Sequence, residues 1–216
     1  MSSRTRYFLR IPLMLLALGD LVLLGLKLWP WRDIPLLPGQ GTTGYDPVIC
    51  LLAYLYLLYW IGGRHNPEVQ KSLKSGLALA IPAGLLCIGF VFLDVPQFAH
   101  KLYAQIGILA AASIFAGIAG YKGQRFSKSP NVGIATGTWS AMISALMAVA
   151  VILARIDLSH PRPLTNDPWR QYQALAIGNP ALQALVHGLN MASCFLLIAP
   201  LAGGMIALLF ALKAQD

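Results

Sequence analysis

One carboxylate, Asp20, interrupts the apolar run LMLLALGDLVLLGLK at residues 13–27. It stands nine residues from Ile11 and eight from Leu28. At about 1.5 Å of rise per helical residue, that is near the centre of a hydrocarbon layer about 30 Å thick. A carboxylate at such depth costs about 2.5–3.5 kcal/mol on insertion scales and often marks a path for protons or ions, so Asp20 is a candidate for transport chemistry. Its neighbours on the same helical face are Leu16, Ala17, Leu23 and Leu24, and no basic side chain falls at its depth. A protonated Asp20, hydrogen-bonded to one of the mid-depth groups Ser113, Ser140, Ser144 or Tyr54, would avoid burying a bare charge.

A second polar constellation, His187, Asn190 and Ser193, recurs at spacing three and so shares a helix face. With His100, Asp157, Arg155 and His160 in the neighbouring segments, it outlines a vestibule for an ion or polar solute. Catalysis finds no support. A serine–histidine hydrolase needs nucleophile and base at one depth, whereas Ser140 and His187 belong to opposite ends of their spans. Cys50, Cys87 and Cys194 are scattered singly, with no C-x-x-C or Cys/His ligand spacing, so neither a metal site nor a disulfide framework is expected. No haem-ligating histidine occupies the centre of a span, and no cofactor is expected.

The elements that must position these groups follow from composition. The chain has 216 residues, 57% hydrophobic and 11% charged, with mean hydropathy +0.64; soluble domains carry about a quarter charged residues. Six apolar stretches read as membrane spans, at 11–28, 48–63, 76–95, 104–121, 132–154 and 185–212. None alternates with period two, so a β-barrel is excluded and the expectation is an all-α bundle of six transmembrane helices forming one domain over residues 1–216. Pro12 suits the first turn of the first span. That span also continues past signal-peptide length without a small-x-small cleavage site, so it is expected to remain as an anchor.

With a cytoplasmic N-terminus, ten of the sixteen Lys and Arg residues fall on the inner side and six outside, as the positive-inside tendency prefers. Both termini are then cytoplasmic, and the size and compactness suggest a bacterial inner membrane. The net charge of +8 is carried by short basic clusters without interleaved aromatics. Anionic lipid headgroups are therefore the expected partners, and nucleic acid is not.

Two connections face outward. Residues 29–47 are rich in Pro and Gly, with Trp29 and Trp31 at interfacial depth. In 155–183, Asp167-Pro168 reads as a helix start and Gly178 as its end, which predicts a short interfacial helix around Trp169. The inner connections share a pattern, Gln70-Lys71-x-x-Lys74-Ser75 against Gln124-Arg125-x-x-Lys128-Ser129, a coincidence unless the spans repeat as well.

Small residues recur every fourth position: Ala112, Ala116 and Gly120 in the fourth span, Gly133, Gly137, Ala141 and Ala145 in the fifth, Ala199, Gly203, Ala207 and Ala211 in the sixth. Such rows let helix backbones approach closely, within one chain or between chains. The second span instead carries Tyr54, Tyr56, Tyr59 and Trp60, an aromatic set expected on the outside of the bundle. The resulting functional expectation is a non-catalytic structural or accessory subunit of a membrane assembly, partnered through small-residue faces or outer loops. The alternative is a small transporter or channel working through Asp20.

Overall fold

The computed structural model describes residues 4–29, 46–62, 67–92, 98–156 and 180–213. These form six helices, α1 (Arg4–Leu28), α2 (Asp46–Gly62), α3 (Pro67–Phe92), α4 (Phe98–Ser127), α5 (Pro130–Arg155) and α6 (Pro180–Lys213), with no strand among the described residues. Four of them contain stretches long and apolar enough to cross a membrane: Ile11–Leu28, Pro67–Phe92, Pro130–Arg155 and Gly188–Phe210. Large apolar side chains point outward along these helices, as in the α1 row Ile11, Leu15, Leu18, Val22 and Leu26. A soluble monomer rarely exposes so continuous an apolar surface, and the chain is membrane-embedded. The interfacial helix expected around Trp169 falls outside the described residues.

Each helix lies over its apolar stretch, but most run further into polar sequence. α1 begins at Arg4 rather than Ile11, and α3 takes in Pro67 to Ser75, which hydropathy assigned to a connection. Hydropathy reports where a helix is oily; helix continuation depends on backbone propensity and caps, which Glu, Gln, Lys and Leu satisfy outside the oily region. Proline marks the starts: Pro67, Pro130 and Pro180 are first residues of their helices and Pro47 is a second, positions where the missing N–H costs nothing. Pro12 departs from the expectation, because α1 begins eight residues before it and carries it inside the helix. The two Gln-Lys/Arg patterns land in unlike places, one within α3 and the other across the end of α4 and the turn after it.

α5 is the hub. It packs against α1, α3, α4 and α6, and 72% of its apolar stretch is buried against 22% for α1. α4 and α5 are joined by only Lys128 and Ser129. Lys128 closes α4 in the left-handed region, φ 53°, donating its N–H to the Gln124 carbonyl at 2.6 Å, a helix end that usually falls to glycine.

The ends of α1, α3 and α5 gather on one side of the bundle, where two basic side chains tie them together. Lys27 Nζ donates to the Ile156 carbonyl at 2.5 Å. Arg155 donates from Nη1 to the Val91 carbonyl at 2.7 Å and lies 4.5 Å over the Phe92 ring. Helix C-termini present unpaired carbonyls and partial negative charge, so cations are stabilising there.

Candidate functional site

Three places in the bundle bear on function: the carboxylate of α1, the contact of α4, α5 and α6, and a cleft beside that contact. Asp20 falls in the buried row Leu13, Ala17, Asp20, Leu24 on the side of α1 that packs against α2 and α5. It is 1% exposed, and neither carboxylate oxygen has a hydrogen-bond partner among the described residues. The groups expected to serve it are otherwise disposed. Ser144 donates to Ser140 and Ala80 carbonyls at 2.9 and 3.2 Å. Ser140 Oγ is buried without a partner among the described residues, and Ser113 lines the cleft between other helices.

Tyr54 is also committed elsewhere, for a reason that lies in α6. Its hydroxyl donates to the Leu196 carbonyl at 2.7 Å. That carbonyl would accept from residue 200 in an unbroken helix, but residue 200 is Pro200, which has no N–H. The tyrosine replaces the missing donor and pins α2 to α6. Tyr56, Tyr59 and Trp60 are exposed on the outer side of α2.

The small-residue rows meet inside the chain. A methyl group placed on Gly137 would collide with the Cβ of Ala207 and lie 2.8 Å from the Ala116 carbonyl oxygen. One on Gly203 would collide with Ala141, and one on Gly120 would sit 2.6 Å from the Cβ of Ala207. Gly133 is buried near Gly123, and Ala145 is buried in the main apolar core. α4, α5 and α6 thus touch nearly backbone to backbone, and a partner would have to use another surface.

Just beside this contact, where the helices diverge, lies a half-open cleft of about 410 Å³. α5 contributes Ala141 and Ser144, α4 contributes 109–116, α3 contributes Cys87 and Phe90, and α6 runs along it from Asn190 to Gly203, including Ala199. Phe90 and Phe195 meet edge to face, their centroids 5.5 Å apart. Ser113, Ser144 and Asn190 supply the polar lining.

Of the three residues expected to share a polar face, only Asn190 lines this cleft. Ser193 turns back to donate to the Leu189 carbonyl at 2.9 Å, a common outcome for serine within a helix. The His187 side chain lies outside the described residues, as do those of His100 and His160. The cleft and Asp20 are separate: the first lies among α3 to α6 and no residue of α1 or α2 lines it.

Sequence reasoning passed over three features. The cleft needs knowledge of which helices diverge. The Tyr54 contact was signalled by Pro200, whose carbonyl four residues earlier is left without its usual donor. Trp139, fully buried with its indole N–H unpartnered among the described residues, gave no signal beyond its position in the fifth span.

Compared with known proteins, the chain matches no family model, no curated protein and no solved structure.

Proposed function

We propose that the protein is a six-span integral membrane protein that acts as a non-catalytic structural or accessory subunit, its termini cytoplasmic in a bacterial inner membrane. α2 and α4 complete the spans; α2 is shorter than the four long apolar helices, and α4 carries Lys101 at one end and Lys122 and Arg125 at the end leading into α5, with an apolar stretch between them. The observation that carries the accessory role is the separation of Asp20 from the cleft. A carrier of ions or polar solutes sets its carboxylate on a path lined by further polar groups; here the carboxylate is enclosed by apolar helix faces and the cleft is apolar.

The competing reading, a small transporter acting through Asp20, draws on one specific fact: both carboxylate oxygens are buried and unpartnered among the described residues. Crosslinking the full-length tagged chain in its native membrane, followed by purification and mass spectrometry, tests the two. The accessory role expects a partner in fixed stoichiometry that stays bound when Asp20→Asn is introduced. A chain that purifies alone and moves protons or cations in proteoliposomes, with the flux lost in Asp20→Asn, overturns it.

A further inference from the structure

We propose that the cleft between α4 and α6 binds one acyl chain of a diacyl phospholipid, with the Asn190 side-chain amide donating a hydrogen bond to an ester carbonyl at its rim. The inference rests on the membrane-embedded reading and deepens it.

Depth and length come first. Asn190 is two residues inside the apolar stretch Gly188–Phe210, at the edge of the hydrocarbon, while Gly203 at the other end of the cleft lies past its middle. The thirteen helical steps from Asn190 to Gly203 give a groove about 20 Å long at about 1.5 Å per residue, which spans slightly more than one leaflet of a layer about 30 Å thick. An extended lipid tail has that reach and orientation.

Access comes next. Leu109 and Ile198 at the cleft margin are 41% and 60% exposed, so the opening faces the space that lipid occupies. Chains from the surrounding bilayer can enter sideways without unfolding anything.

Chemistry then narrows the occupant. Hydrocarbon gains little by leaving lipid for an equally apolar groove, so selection must come from shape and from polar contacts. Ala112, Ala116, Ala199 and Ala202 keep the walls low enough for a narrow chain. At the rim, the Asn190 amide is exposed and no hydrogen bond joins it to another described residue, leaving its two N–H donors available. No charged residue lines the cleft among those described. An ionised fatty acid would find no cation among the described lining residues, whereas the neutral ester carbonyl of a phospholipid, an acceptor at that depth, is matched by an amide donor.

The test uses the full-length chain with two synthetic lipids, dioleoyl phosphatidylglycerol and its ether-linked analogue, which lacks the ester carbonyls. Alkaline extraction of membranes is done first: release of the chain without detergent overturns the membrane reading itself. With the chain retained, the protein is delipidated in mild detergent, and lipid binding is titrated by native mass spectrometry.

One ester lipid per chain is expected, bound about threefold more tightly than the ether lipid, the ratio that a single hydrogen bond in a membrane protein typically supplies. Asn190→Leu should erase that difference by weakening the ester lipid alone. Ala202→Phe, which fills the groove, should weaken both by about tenfold, the lower end of what forcing extra volume into a filled site costs. Equal binding of the two lipids by the native chain overturns the assignment whether or not either variant folds, and so does unchanged binding in a folded Ala202→Phe protein.

Discussion

The α4–α5–α6 contact and the α1–α2 pair are built from the same apolar alphabet but held together differently. In the first, Gly120, Gly137, Gly203 and Ala207 remove side chains until backbones meet. In the second, Gly19 and Gly25 face open space and α1 exposes a long apolar row. Within lipid, burial of hydrocarbon gives no net drive, and what holds helices together is close dispersion contact and the occasional hydrogen bond. The first region relies on backbone contact; the second packs larger side chains, Leu24, Leu51 and Leu58, and is tied to the rest of the bundle by Lys27 to Ile156 and Tyr54 to Leu196. The same residue type therefore has opposite value in the two places.

The sharpest way to break this contrast is to exchange a glycine in each region. Gly137→Leu should destabilise the fold by about 3 kcal/mol or more, since neither Ala207 nor the Ala116 carbonyl can retreat, while Gly25→Leu should stay within about 0.5 kcal/mol of the parent. Thermal unfolding in detergent, followed by circular dichroism, measures both. Equal losses would mean that the two regions are packed alike.

Asp20 offers the next largest effect, of opposite sign. Replacing a buried carboxyl that has no partner among the described residues with a side chain of similar shape should stabilise the α1 side, so Asp20→Val is expected to raise stability by about 2 kcal/mol. A drop on the same unfolding assay would show that the carboxyl has a stabilising partner.

Tyr54→Phe should cost about 1 kcal/mol by leaving the Leu196 carbonyl unsatisfied. In a Pro200→Ala background, where residue 200 regains its N–H, the same change should cost close to nothing. A double-mutant cycle reads this directly, and additivity of the two substitutions would remove proline as the cause. Lys128→Gly should bring a gain of similar size, about 1 kcal/mol, from relieving a left-handed lysine, read on the same unfolding assay.

The all-helical class and the four long apolar helices were legible in the chain because those stretches are long and flanked by charge. Their ends were less so: Pro67 and Pro130 announce starts that hydropathy overlooks, and Pro12 shows the same residue inside a helix. That Asp20 lies inside a long apolar helix was readable, but the direction it faces was not. A helix facing several neighbours gives no hint of which one a side chain meets: of the groups matched to Asp20 by depth, Ser144 and Tyr54 bond elsewhere, Ser113 lines the cleft, and Ser140 Oγ meets no partner among the described residues. The rows of Gly and Ala told that close contact occurs; only three dimensions tell that it occurs within one chain. Asn190 was visible as a polar residue near a helix end, yet the groove beneath it depends on the divergence of α4 from α6, which no local pattern records.

The order in which the α4–α5–α6 contact is completed has a bearing on synthesis. α4 and α5, tied by two residues, leave the ribosome as a hairpin whose glycine-lined seam stays unfilled until α6 has been translated. A nascent polypeptide arrested before Pro180 would hold that seam open to the bilayer.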